Sequence, residues 1–197
     1  MQIRPLAVVD AFEVVPVQHR DDRGTFLEWF KREPFEDATG HRLDLAQANC
    51  SVSARGVVRG IHYADVPPGQ SKYVTCFAGS VLDVVVDLRV GSPTFGVVDS
   101  VVLDADERRA VFIAEGLGHA FMALSEQATV GYLCSQPYAP EREHGLHPLT
   151  DGLDLPWPAD VPPLLSPKDA AAPSFAQAQT LGALPTYADC RAWYGRA

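Results

Sequence analysis

Arg59, His62 and Lys72 lie close together in GVVRGIHY (residues 56–63) and PPGQSKY (residues 67–73), two β-rich runs joined by a Pro-Pro-Gly turn. With the bend centred near Pro67, His62 and Lys72 are equally far from it, which predicts that they meet across a hairpin. A neutral imidazole and an ammonium are poor structural partners. They suit the removal of a proton from carbon, with the imidazole as base and the cation steadying the oxygen that becomes negative. An isolated histidine is more often a core residue; adjacent Arg59, facing Lys72 and a strand edge beside Gly60 shift His62 towards function. His119, in EGLGHAF, has flanking glycines that let backbone approach a ligand, and a hydrogen-bonded loop histidine is the equal alternative. Tyr132, in ATVGYLCS, reads as a packing residue unless the fold aims it at His62. His19, His41, His144 and His147 sit in polar, loop-like contexts and are expected at the surface.

These residues predict no catalytic metal. The metal-binding barrel pattern, H-x-H followed by a carboxylate, is missing: Ala64 stands two places after His62, no Glu lies between His62 and Lys72, and Lys72 would repel a cation. There is no GxGxxG, GxxxxGK or GxSxG, so nucleotide-cofactor and serine-hydrolase chemistry lack support.

The elements that must position this chemistry are mostly strands. Candidates are residues 11–17, 25–29, 57–63, 73–77, 81–88, 97–103, 110–113, 120–124 and 129–134, separated by turn chemistry such as DDRG, PPG, GSPTFG and EGLG. Many short, evenly spaced strands predict an all-β sandwich or barrel. Helices are expected near residues 31–38, stopped by Gly40, and 174–181, stopped by Gly182. Residues 155–167 are proline-rich and read as an extended surface strap. In VLDVVVDLR, Leu82, Val84, Val86 and Leu88 share one wholly apolar face, while Val81, Asp83, Val85, Asp87 and Arg89 share the other. Asp83, in mid-strand, is the better candidate for an interior supporting role; Asp87, near the strand end, is expected in solvent.

Bulk properties narrow the function classes. The chain of 197 residues is expected to form one domain (residues 1–197), with 47% hydrophobic and 21% charged residues, as in a soluble globular protein. No apolar run could span a bilayer and the N-terminus lacks a signal-peptide pattern. Four scattered cysteines without a CxxC pair argue for reduced thiols in a cytoplasmic protein. A net charge of −9 argues against broad nucleic-acid binding but permits a compact cationic pocket.

With GVVRGIHY, QSKYV, VLDVVVDLRVGSPTFG, EGLGHAF, YLCSQPYAP and LSPKDAAAPSF in this order, the chain resembles the dTDP-4-dehydrorhamnose 3,5-epimerase family over residues 11–183, with wording similar to actinobacterial members. The resemblance implies a cupin-type double-stranded β-helix (jelly-roll) sandwich with a few short flanking helices, a homodimer, no cofactor, and a dTDP-4-keto-6-deoxyhexose substrate. By motif, it implies that His62 is the base, Asp169 the carboxylate orienting it, Tyr132 the acid on the opposite face, and Lys72 the cation at the keto oxygen with His119 close by. It assigns Arg23, Phe26, Glu28, Gln47, Asn49, Arg59, Tyr138, Glu143 and Lys168 to contacts with nucleotide, diphosphate or sugar. Two places depart from the family pattern: HGLHPLTDG after Glu143, where many members have a Trp-Asp-type sequence, and Leu133, where lysine is frequent. Both adjoin the strand of Tyr132 and bear on the second centre. The implied reaction is epimerisation of dTDP-4-keto-6-deoxyglucose at C3 and C5; a single-centre epimerase, a non-enzymatic sugar-nucleotide-binding cupin and, far behind, a metal-dependent cupin oxygenase are the alternatives. The N-terminal segment, with its Pro and Arg, could add to a partner's sheet edge.

Overall fold

Alternation of apolar and polar residues at period two dictates most of the architecture. The computed structural model describes residues 1–195. Its strands are β1 (Gln2–Pro5), β2 (Ala11–Val15), β3 (Gln18–Asp21), β4 (Gly24–Leu27), β5 (Gln47–Ala54), β6 (Val58–Ala64), β7 (Lys72–Ala78), β8 (Ser80–Val86), β9 (Val98–Asp104), β10 (Ala110–Ile113), β11 (Gly118–Ala123), β12 (Gln127–Cys134) and β13 (Glu143–Gly145). The helices are α1 (Arg32–Thr39), α2 (Pro167–Ala170), α3 (Phe175–Thr180) and α4 (Tyr187–Tyr194). One antiparallel sheet has the order β1-β2-β10-β7-β12-β5 and the other β13-β6-β11-β8-β9, while β3 and β4 form a separate hairpin. The two larger sheets form the jelly-roll sandwich of the cupin fold. Between them, Val74, Cys76 and Val130 pack with Val81, Val85, Val101 and Phe121.

The apolar face of β8 looks the other way and has its own cover. Leu82, Val84, Val86 and Leu88 pack with Ile61 and Ala120 under Leu146, Leu153, Phe175, Ala178 and Leu184 from the C-terminal third. Burial of each such leucine or valine contributes about 1.5–3 kcal/mol. The helices near 31–38 and 174–181 are present as α1, ended by Gly40 at φ 69°, and α3, started by a Ser174/Gln177 capping box.

Several expectations do not survive. His62 and Lys72 are not hairpin partners. Strand β6 already has β11 and β13 on its edges and β7 has β10 and β12, so residues 65–71 carry the chain from one sheet to the other instead of folding it back. His41 is not a surface residue: its side chain is only 9% exposed and its Nε2 lies 3.3 Å from Asp10 Oδ1. Asp87 is wholly buried, not solvated, because Arg89 is buried beside it. Arg89 Nε donates to Asp87 Oδ1 at 2.9 Å, its Nη1 to Asp10 Oδ2 at 2.7 Å and its Nη2 to the Val9 carbonyl at 2.8 Å. Ser92 Oγ and Thr94 Oγ1 each donate to Asp87 Oδ2 at 2.6 Å. The network ties the first strand turn, the β8–β9 connection and α4 together.

Burial alone would raise the Asp87 carboxyl, but hydrogen bonds from Arg89, Ser92 and Thr94 outweigh it and hold it below the usual range. Asp10 is held low in the same way, by His41 and Arg89 against burial. Their contribution is therefore full above the ordinary carboxylate value of about 3.9 and is lost as pH falls through the lowered values. Arg89→Leu leaves two buried carboxylates without their cation, and urea denaturation at neutral pH should show a loss of about 3–5 kcal/mol. The deficit should narrow in acid, where the carboxylates protonate.

Candidate active site

A bulge in β6 sets one wall of the site. His119 pairs with His62, yet Phe121 pairs with Arg59, so β6 gains one residue between them. Arg59 and His62, three apart, would face opposite sides of a regular strand; the extra residue turns both inwards. Gly60 makes this possible. Its φ is +117°, and a Cβ there would sit 2.4 Å from the His119 carbonyl oxygen.

The cavity behind this wall holds about 450 Å³. The smaller sheet supplies Arg59 and His62 from β6 and His119 and Phe121 from β11. The facing sheet supplies Lys72 from β7 and Tyr132 from β12. Lys72 lies directly opposite Cys134 on β12, two places along from Tyr132. The third side is the proline-rich strap and α2, with Lys168 and Asp169. The strap is held by backbone: Val58 N donates to the Leu164 carbonyl at 2.9 Å, and Leu164 N to that of Gly56 at 2.7 Å.

Two histidine–aspartate pairs converge here. His62 Nε2 lies 2.7 Å from Asp169 Oδ1, a residue 107 positions away. His119 Nε2 lies 2.8 Å from Asp83 Oδ2, whose side chain is wholly buried. An ionised carboxylate only accepts, which assigns the proton to each Nε2 and leaves each Nδ1 without one in the neutral ring. For His62 that makes Nδ1 the basic atom. Burial would raise Asp169, but hydrogen bonds from His62 and Ser166 hold it low. Asp83 thus has the interior supporting role its mid-strand position suggested, and its Oδ1 has no hydrogen-bond partner among the described residues.

Desolvation pushes the Lys72 ammonium down, against the upward pull of Cys134, Glu143 and Asp83. Desolvation pushes the Tyr132 phenol up, helped by Cys134 and opposed by Arg59. At neutral pH the cavity therefore holds a phenol that keeps its proton and an ammonium within easier reach of losing one. Such a set can take a proton from a carbon on one side, stabilise an enolate oxygen, and return a proton from the other side.

The remaining expected residues divide. Glu143 shares an adjoining crevice with His62, Lys72 and His119. Gln47 and Asn49 lie on β5 beside Cys134 and Tyr132; Gln47 Nε2 donates to Asn49 Oδ1 at 2.8 Å and Tyr138 N donates to Gln47 Oε1 at 2.9 Å. Lys168 Nζ stands 6.0 Å from the centre of the Tyr138 ring. Arg23, Phe26 and Glu28 lie outside this chain's cavity. Arg23 and Phe26 are on the β3–β4 hairpin, where Phe26 is 69% exposed and Arg23 pairs with Asp21; Glu28 follows β4 and faces Lys31. Sequence reasoning missed Phe121 and Ser166. Phe121 looks like any core aromatic, but S-x-x-D at Ser166–Asp169 is a helix-start signature and could have been read.

The family model described as dTDP-4-dehydrorhamnose 3,5-epimerase matches residues 5–177. The chain belongs to that family. It is 57% identical over 194 residues to the dTDP-4-dehydrorhamnose 3,5-epimerase of Mycolicibacterium smegmatis, covering 98% of this chain and 95% of that one. It is 55% identical over 192 residues to a dTDP-4-dehydrorhamnose 3-epimerase of Streptomyces niveus, covering 98% and 92%. Among solved structures, ChmJ, a 3'-monoepimerase from Streptomyces bikiniensis in complex with dTDP-quinovose, superposes with a TM-score of 0.94 at 49% identity, covering 98% of this chain and 97% of that one. The protein is accordingly an isomerase, an epimerase of dTDP-4-keto-6-deoxyhexoses.

Of these two groups, the lowered Lys72 is expected to lose its proton before the raised Tyr132 as pH rises. A cation with a depressed value is lost as pH rises through that value, so kcat/KM should fall at a pH below the ordinary lysine value of about 10.4. A profile flat to that point would remove Lys72 as the charge required.

Proposed function

We propose that the enzyme inverts both C3 and C5 of dTDP-4-keto-6-deoxyglucose without a cofactor, with His62 as base, Tyr132 as acid and Lys72 at the keto oxygen. The observation that carries this reading is the placement of His62 and Tyr132 on facing sheets of one cavity, with Lys72 on the Tyr132 side. A hydrogen next to a ketone is acidic only because its anion delocalises onto oxygen. His62 Nδ1 removes it, Asp169 stabilises the imidazolium that results, and the Lys72 ammonium stabilises the enolate. The Tyr132 hydroxyl then protonates the same carbon from the opposite face, so the centre is inverted with no change of oxidation state. The second centre flanks the same carbonyl and uses the same groups after the ring turns, once solvent has taken the proton from the His62 imidazolium and returned one to the Tyr132 phenolate. The diphosphate accounts for Arg59 and Lys168 gathered at the cavity of a protein with net charge −9.

The active unit in this reading is a homodimer. The β3–β4 hairpin presents Phe26 and Arg23 away from their own cavity, an aromatic face and a guanidinium suited to a base and a phosphate. Placed at the cavity of a second copy, they and Glu28 complete the nucleotide contacts that one chain leaves open.

Turnover in deuterium oxide should give a product carrying two deuterons, one at each centre; a single deuteron means one inversion and ends the double assignment. His62→Ala should lose exchange by about 10²–10⁴-fold. Tyr132→Phe should still exchange hydrogen through His62 but return it to the original face, so that isotope enters substrate without inversion. Phe26→Ala and His62→Ala chains, each impaired alone, should regain activity when mixed, because one mixed site has both residues intact. Failure to complement places Phe26 in its own chain's chemistry.

A further inference from the structure

We propose that Ser166 is a positioning residue for the epimerase base, the outer member of a hydrogen-bonded relay Ser166–Asp169–His62. The proposal rests on the reading of His62 as base. Asp169 offers one oxygen to each neighbour: Oδ1 lies 2.7 Å from His62 Nε2, and Oδ2 accepts from Ser166 Oγ at 2.7 Å. The direction of the second bond is not open. Ser166 Oγ accepts from Asp169 N at 3.0 Å and the carboxylate has no proton to give, so the hydroxyl hydrogen goes to Oδ2.

The local sequence sets this geometry. Leu164 is bonded to the backbone of Gly56 and Val58 at the root of β6, which brings the strap alongside the strand that carries His62. Pro167 occupies the first turn of α2 and restricts Ser166 to the extended conformation it has, φ −71° and ψ 155°. Ser166 then caps α2, and Asp169, in the first turn, is aimed at the imidazole. A helix cap needs only the bond from Asp169 N. The bond to Oδ2 is additional, and it fixes the one Asp169 torsion that would otherwise be broad, the rotation of the carboxylate plane about Cβ–Cγ.

Two consequences separate positioning from capping. A carboxylate bonded on both oxygens holds the imidazole at one angle, so loss of the hydroxyl lowers kcat more than it raises KM. A carboxylate with one donor fewer also attracts the imidazolium more strongly, so the base becomes free only at higher pH.

The test uses the full chain with Ser166→Gly, which is tolerated at helix caps and removes the hydroxyl, and Ser166→Thr, which keeps it. In the glycine variant kcat should fall about tenfold with KM within about twofold, and the acidic limb of kcat/KM should move to higher pH. Threonine should restore both. An independent readout is the proton NMR signal of the His62 Nε2–H, assigned by its loss in His62→Ala; it should move in the glycine variant and return with threonine. An acidic limb and an N–H signal unchanged in Ser166→Gly, or a limb moved to lower pH, would overturn the proposal and leave Ser166 a helix cap. If the wild type exchanges no hydrogen at C3 or C5, the functional reading falls, and the N–H signal alone decides whether Ser166 tunes the pair.

Discussion

Inversion at carbon imposes one geometric constraint: the proton must leave from one face of the sugar and arrive at the other. No single sheet surface can satisfy it, because side chains on one face all approach from the same side. The sandwich does so because residues 65–71 pass from the end of β6, in one sheet, to the start of β7, in the other. His62 and Lys72, close in sequence, thereby end on opposite walls. Both strands are internal to their sheets, so neither wall moves without breaking ladders on two sides. In the proposed mechanism, rigid walls hold His62 and Tyr132 at fixed separation while the sugar ring turns between them.

The third side of the cavity depends on a different part of the molecule. The outer face of β8 is apolar and must be covered, and the C-terminal third covers it with Leu146, Leu153, Phe175, Ala178 and Leu184. Between Leu153 and Phe175 the chain leaves that face as a strap past β6 and returns to it, and Asp169 lies on the returning path between the Leu164 bridge and Phe175. Hydrophobic burial and delivery of the orienting carboxylate are thus one event. Weakened packing of α3 would be felt at His62 through this segment.

Much of this was legible in the sequence. Period-two patterns marked most strands, the two faces of β8 separated cleanly, and Asp83 stood out as a carboxylate in mid-strand. What was not legible depended on long-range choices. No local signal distinguishes a Pro-Pro-Gly connection that folds back from one that crosses to a second sheet; strand neighbours decide it. Gly60 was visible only as a neighbour of His62, and the bulge that turns Arg59 and His62 to one side appears only when β11 is laid against β6. Asp87 looked solvated because a strand-end carboxylate usually is; Arg89, two residues on, is wholly buried with it, and that pairing reverses the expectation. The role of Asp169 came from family resemblance, since nothing in spacing links it to His62.

The buried charges fall into two kinds, and the difference separates scaffold from chemistry. Asp87 accepts from Arg89, Ser92 and Thr94, and Arg89 is in turn bonded to Asp10 and the Val9 carbonyl. Such a saturated network has no capacity left for a ligand and is stable only as a whole. Asp83 and Lys72 are held differently. Asp83 spends one oxygen on His119 and the other has no hydrogen-bond partner among the described residues, while burial lowers Lys72 in the cavity wall against the upward pull of Cys134, Glu143 and Asp83. Leaving polar groups short of partners costs stability. The cost is borne on both walls of the cavity, by Asp83 behind His119 on one and by Lys72 on the other. In the proposed mechanism the desolvated Lys72 ammonium is the group that stabilises the oxygen on which negative charge develops.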